Sequence, residues 1–119
     1  MSDLKPQGIS LVLDKKEYKL YFDLNVIDDI QEKFDIPIEQ MFDILNDNKR
    51  VYKALKFILA TLINEGIDYF ETGEKHVTER QIGRLLTPAN LKEAGSKVLK
   101  AFSAGTPESE EESPNAMSE

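Results

Sequence analysis

Two spacings of hydrophobic residues divide the chain. From Ile9 to Phe22 the period is two. Ile9-Ser10-Leu11-Val12-Leu13 and Glu17-Tyr18-Lys19-Leu20-Tyr21-Phe22 are short runs of strand formers separated by Asp14-Lys15-Lys16. In the second run Tyr18, Leu20 and Phe22 alternate with Glu17, Lys19 and Tyr21, which gives one apolar and one mixed face and predicts a β-hairpin. A lone hairpin is marginal in water, so its apolar face is expected to rest on the helices that follow.

From Leu24 the spacing becomes three and four. Asp23 or Asn25 can cap a helix whose apolar stripe is Val26, Ile27, Ile30 and Phe34, and Ile36-Pro37 stops it because a residue before proline is pushed out of the α region. Pro37 then suits the first turn of a second short helix with Ile38, Met41, Phe42 and Leu45 on one side, ended by Asn46-Asp47-Asn48. Residues 50–64 are the strongest element. Val51, Leu55, Ile58, Leu59, Leu62 and Ile63 form one stripe, and Tyr52, Phe57, Ala60 and Thr61 widen it to most of the circumference. A helix apolar nearly all round is a central one, and Glu65-Gly66 is the expected stop. After an irregular link, Thr78-Glu79-Arg80-Gln81 has the form of a capping box before Ile82, Leu85 and Leu86. Thr87-Pro88 opens a last helix with Leu91, Ala94, Val98, Leu99 and Phe102 on one face.

After Phe102 the pattern stops. Residues 104–119 carry five glutamates and no base, with serine, proline and one methionine. Such a segment buries too little apolar area to offset its ordering entropy, so it is expected to be a disordered acidic tail. The expected organisation is a flexible N-terminus at 1–8, one domain at 9–103 and the tail at 104–119. The fold class is α+β, predominantly α, with an N-terminal hairpin packed on about five short helices.

Charge sharpens this picture. The net charge is −7, but removing the five tail glutamates leaves −2 on residues 1–103, so the folded part is nearly balanced. An acidic chain gains nothing from counterion release on a phosphate backbone, and the same balance argues against anionic membrane surfaces. At 119 residues without cysteine, the chain folds as one domain without disulfides or thiolate metal sites. No stretch approaches the roughly 18–20 apolar residues that span a bilayer, and Met1 to Pro6 has no signal-peptide pattern. Residence in the cytoplasm is expected.

Candidate chemistry is sparse. His76, the one histidine, lies in a polar link between Lys75 and Val77 and reads as a solvated loop residue. Asp28, Asp29 and Glu32, like Asp43 and Asp47, have helical spacing but lie opposite apolar stripes, as any solvated face does. The glycines form no phosphate-binding motif, and the acidic tail lacks the alternating ligands and glycine of a calcium loop. The sequence therefore predicts no catalytic, cofactor or metal residues and no cofactor. The aromatic residues point to protein contact. Tyr21 falls on the polar face of its strand, and Tyr52 and Phe57 widen a helix already rich in apolar surface. With Glu110, Glu111 and Glu112 of the tail they are the candidate contact residues, and the surplus apolar surface predicts self-association.

The order of elements resembles that of tail assembly chaperones from long-tailed bacteriophages and prophages of Gram-positive hosts. The resemblance spans about residues 9–103. It rests on the strand Glu17-Tyr18-Lys19-Leu20-Tyr21-Phe22, the stretch from Asp23 to Glu32, the restart Ile36-Pro37-Ile38-Glu39, the apolar helix ending Asn64-Glu65-Gly66, and the capped helix from Thr78. The Glu/Ser/Pro ending is also similar. Val26 departs from the alanine expected there, and Gln31 from a common glutamate. The resemblance implies a non-enzymatic assembly factor that binds the tape measure protein, helps deliver major tail (tube) protein subunits, and is absent from the mature virion. A second reading of the residues is an acidic regulatory adaptor or DNA mimic that binds a basic partner through the tail.

Overall fold

The computed structural model describes residues 8–105; the expectations for residues 1–7 and 106–119, including Glu110, Glu111 and Glu112, lie outside the described residues. Two antiparallel strands, β1 (Ile9–Leu13) and β2 (Lys16–Leu20), precede five helices. These are α1 (Leu24–Phe34), α2 (Met41–Leu45), α3 (Val51–Tyr69), α4 (Glu79–Leu85) and α5 (Leu91–Gly105), with a 3-10 turn at Ile38–Gln40. The chain is thus α+β and mostly α, as its periodicities imply.

The hairpin turn is tighter than the sequence suggests. Leu13 pairs with Lys16, so Lys16 belongs to β2 and the turn is Asp14-Lys15 alone. Both turn residues have positive φ, 52° and 69°, the backbone of a type I′ turn, whose twist matches that of the strands. Leu11, Leu13 and Leu20 are buried with Phe22, and Tyr18 packs partly against them.

In α1, Asp23 is the cap: the Val26 N–H donates to its carboxylate at 3.3 Å. Asn25 is free for another partner. Val26 and Ile30 are fully buried, with Ile27 and Phe34 at the margin of the core. Asp35 closes the helix in the left-handed conformation (φ 56°), and the Gln31 side chain accepts the Ile38 N–H at 2.9 Å. Pro37 precedes the 3-10 turn as an extended residue and is not in a first α-helical turn. That turn changes the helical phase, so α2 buries Met41 and Ile44 and leaves Phe42 44% exposed, against the stripe expected from spacing. Asp47 then shapes the link, accepting the Lys49 N–H at 2.8 Å and Arg50 Nε–H at 3.1 Å.

The helix α3 is the axis of the domain. Its buried residues run from Ala54 to Ile67, and it touches β2, α1, α2, α4 and α5. It does not stop at Gly66 but continues to Tyr69. The reason is packing against β2: a Cβ on Gly66 would stand 2.3 Å from the Lys19 carbonyl oxygen. Glycine is there for close approach of strand to helix, and one glycine costs a helix only about 1 kcal/mol. Beside it, the Tyr21 N–H donates to the Leu62 carbonyl at 3.2 Å.

Helix α4 opens with the expected capping box, Thr78 and Gln81 each accepting the other's backbone N–H. Thr87 and Asn90 repeat the reciprocity before α5, at 3.2 and 2.8 Å. The buried face of α5 is Ala94, Val98, Ala101 and Phe102, and Leu99, expected among them, is 44% exposed. The helix runs on through Ser103 and Ala104 to Gly105, past the expected start of the tail. No helix among the described residues is long and apolar enough to cross a membrane.

Candidate protein-contact surface

Tyr52 stands in the first turn of α3, before that helix enters the core, and is 56% exposed. Phe57, five residues on, is half-buried. Its ring meets Phe34 edge-on at 5.7 Å between centroids, and Lys33 Nζ lies 5.2 Å over it. Phe57 thus fastens α1 to α3, and a cation covers part of its remaining face.

Tyr21 is not an exposed strand residue. β2 ends at Leu20, and the half-buried Tyr21 ring stacks on Tyr69 at 4.0 Å and 12° between planes. Phe70 meets both rings edge-on, at 5.6 and 5.0 Å. Burial, and after it a hydrogen bond with Tyr69, push the Tyr21 hydroxyl up to about 12, with Asp23 and Glu65 adding negative field. Sequence spacing gave no sign of this cluster, because its members are joined only when β2 docks on the last turns of α3.

The same docking brings together the caps of two elements. Asn25 Nδ2–H donates to Glu65 Oε2 at 3.0 Å. A hydrogen bond between Glu65 and Asp23, then burial, lifts the Glu65 carboxyl to about 7, and the bond from Asn25 opposes the rise.

His76 is exposed, as expected of a loop residue, but it has a partner: its Nε2 lies 2.8 Å from Asp68 Oδ1. The link it belongs to is fixed more firmly by Asn64, whose amide donates to the Val77 carbonyl at 2.9 Å and accepts the Val77 N–H at 2.7 Å. Among the described residues no three His, Cys, Asp or Glu side chains converge to hold a metal ion.

Sequence reasoning missed several exposed apolar side chains. Leu24 is 79% exposed at the start of α1, and Phe42, Val12 and Leu99 join Tyr52 as large apolar groups facing outward. Leu99 and Ile9 flank an open groove of about 520 Å3 between β1 and α5, also lined by Ser96, Lys100, Ser103 and Ala104. These exposed apolar side chains are spread over β1, α1, α2, α3 and α5. Compared with protein-family models, curated proteins and solved structures, the chain matches none.

Proposed function

We propose that this chain is a non-enzymatic tail assembly chaperone of a long-tailed phage or prophage. It binds the tape measure protein in the host cytoplasm, helps recruit tail tube subunits, and does not stay in the finished virion. The observation that carries the reading is the order of elements, a hairpin followed by helices around one apolar central helix, in the sequence pattern that resembles the family. Exposed Tyr52 and Phe42 support it. A long helical client presents amphipathic seams, and rings displayed on a small rigid domain can cover them until the client assembles.

Co-expression with the tape measure and tail tube proteins of the same genome tests this. The chaperone reading expects the tape measure protein to be retained on the tagged chain and kept soluble by it. If neither client protein is retained nor kept soluble, the reading fails. Binding to a basic protein that is lost in salt and on deleting Glu108 to Glu112 would favour the acidic adaptor instead.

A further inference from the structure

The hairpin has two edges: α3 lies along that of β2, while α5 packs against β1 without a backbone–backbone bond to its outward groups. In a hairpin with a two-residue turn, the residues flanking the turn exchange both hydrogen bonds, and bonded pairs then alternate with non-bonded ones. Leu13–Lys16, Leu11–Tyr18 and Ile9–Leu20 are therefore the bonded pairs. The backbone groups of Ser10 and Val12 point away from β2, and those of Glu17 and Lys19 point away from β1. On the β2 side α3 covers the edge, with the Tyr21 N–H on Leu62 and the Lys19 carbonyl against Gly66. On the β1 side, among the described residues, no backbone–backbone hydrogen bond reaches Ser10 or Val12.

Natural edge strands are kept apart by charges, proline or bulges. β1, Ile9-Ser10-Leu11-Val12-Leu13, carries none of these, and its register with β2 is unbroken. Val12 is 54% exposed on it.

We propose that β1 pairs antiparallel with β1 of a second copy about a twofold axis at Leu11, making one continuous sheet across the dimer. The strand is self-complementary in this register. Ser10 stands opposite the second copy's Val12, so each outward-pointing N–H and C=O meets its counterpart, and all five residues of the strand overlap. Leu11 and Leu13 are already buried within each copy, so the apolar area added by pairing is that of half-buried Ile9 and exposed Val12. Shifting the axis to Ser10 or Val12 leaves part of the strand unpaired.

The same register carries the second copy's turn past Gly8, toward the end of the strand where Lys100 and Leu99 of α5 line the groove beside Ile9. Asp14 in that turn is exposed, and Lys100 has no carboxylate partner among the described residues. The two charges are complementary across the twofold axis. The inference stands on the hairpin geometry and is independent of the chaperone reading.

The absence of cysteine makes a direct test possible. Full-length Ser10→Cys and Val12→Cys variants are purified separately, mixed and oxidised. The proposed register expects the mixed disulfide dimer to exceed either homodimer by several-fold. Sedimentation of the unmodified chain up to millimolar concentration is expected to show a monomer–dimer equilibrium that Val12→Lys shifts at least tenfold toward monomer, with an unchanged circular dichroism spectrum. A chain that stays monomeric throughout overturns the proposal. So does a dimer indifferent to Val12→Lys, or cross-linking dominated by Ser10→Cys with itself.

Discussion

The carbonyl of Lys19 lies against the backbone of Gly66, so close that a Cβ on the glycine would stand 2.3 Å from the carbonyl oxygen. Both partners are backbone, and neither can swing aside. Gly66→Ala gains about 1 kcal/mol of helix propensity but forces β2 off α3. The net expectation is a loss of about 2–3 kcal/mol, in the range of overpacked cores. Urea denaturation of the two proteins checks it, and a more stable variant would show that β2 does not bear on this helix.

Asn64 brackets Val77 through both its amide donor and its amide acceptor. Asn64→Ala leaves a part-buried N–H and C=O without partners and should cost about 2–3 kcal/mol. Hydrogen exchange should show the Val77 amide losing protection ahead of the α3 core.

Glu65 titrates in the folded state at about 7, above its ordinary value of 4.5. The folded protein therefore binds more protons than the unfolded chain between those values. Stability from this group is fully present below about pH 4.5 and is lost as pH rises through about 7. Glu65→Gln keeps a donor toward Asp23 without the charge, so it should flatten this slope and raise stability at pH 8. Because Glu65 is partly solvated, the expected gain is on the order of 1 kcal/mol. Chemical denaturation from pH 4 to 8 reads it, and identical slopes for the two proteins would contradict the raised titration of Glu65.

Tyr52 and Phe57 should separate binding from stability. Phe57→Ala removes a half-buried ring that packs on Phe34 and is expected to cost about 2–3 kcal/mol. Tyr52→Ser, on an exposed ring, should change stability by less than about 0.5 kcal/mol. If Tyr52 meets the client, the same variant should weaken retention of the tape measure protein by about tenfold, in line with an aromatic contact worth roughly 1.4 kcal/mol.

The sequence is legible where the chemistry is local. The Thr78–Gln81 capping box, the Asp23 cap and the apolar stripe of α3 each involve residues within a few turns of one another. The misreadings share another cause. Gly66 looks like a helix stop in sequence, and only the arrival of Lys19 gives it a different purpose. Phe42 and Leu99 fit an apolar stripe by spacing, yet a 3-10 turn precedes Phe42 and shifts its helix, and α5 buries Ala101 where spacing offers Leu99. The stacking of Tyr21 on Tyr69 joins residues far apart in the chain, and no periodicity encodes that.

The docking of β2 on α3 also sets an order in time. The hairpin leaves the ribosome first, but Leu62 and Gly66, which receive its edge, follow roughly 45 residues later, or several seconds at about 5–20 residues per second. During that interval neither edge has a helix to close it. Because a lone hairpin is marginal, β1 and β2 gain lasting order only once α3 arrives, so the sheet is a late product of the helix that supports it.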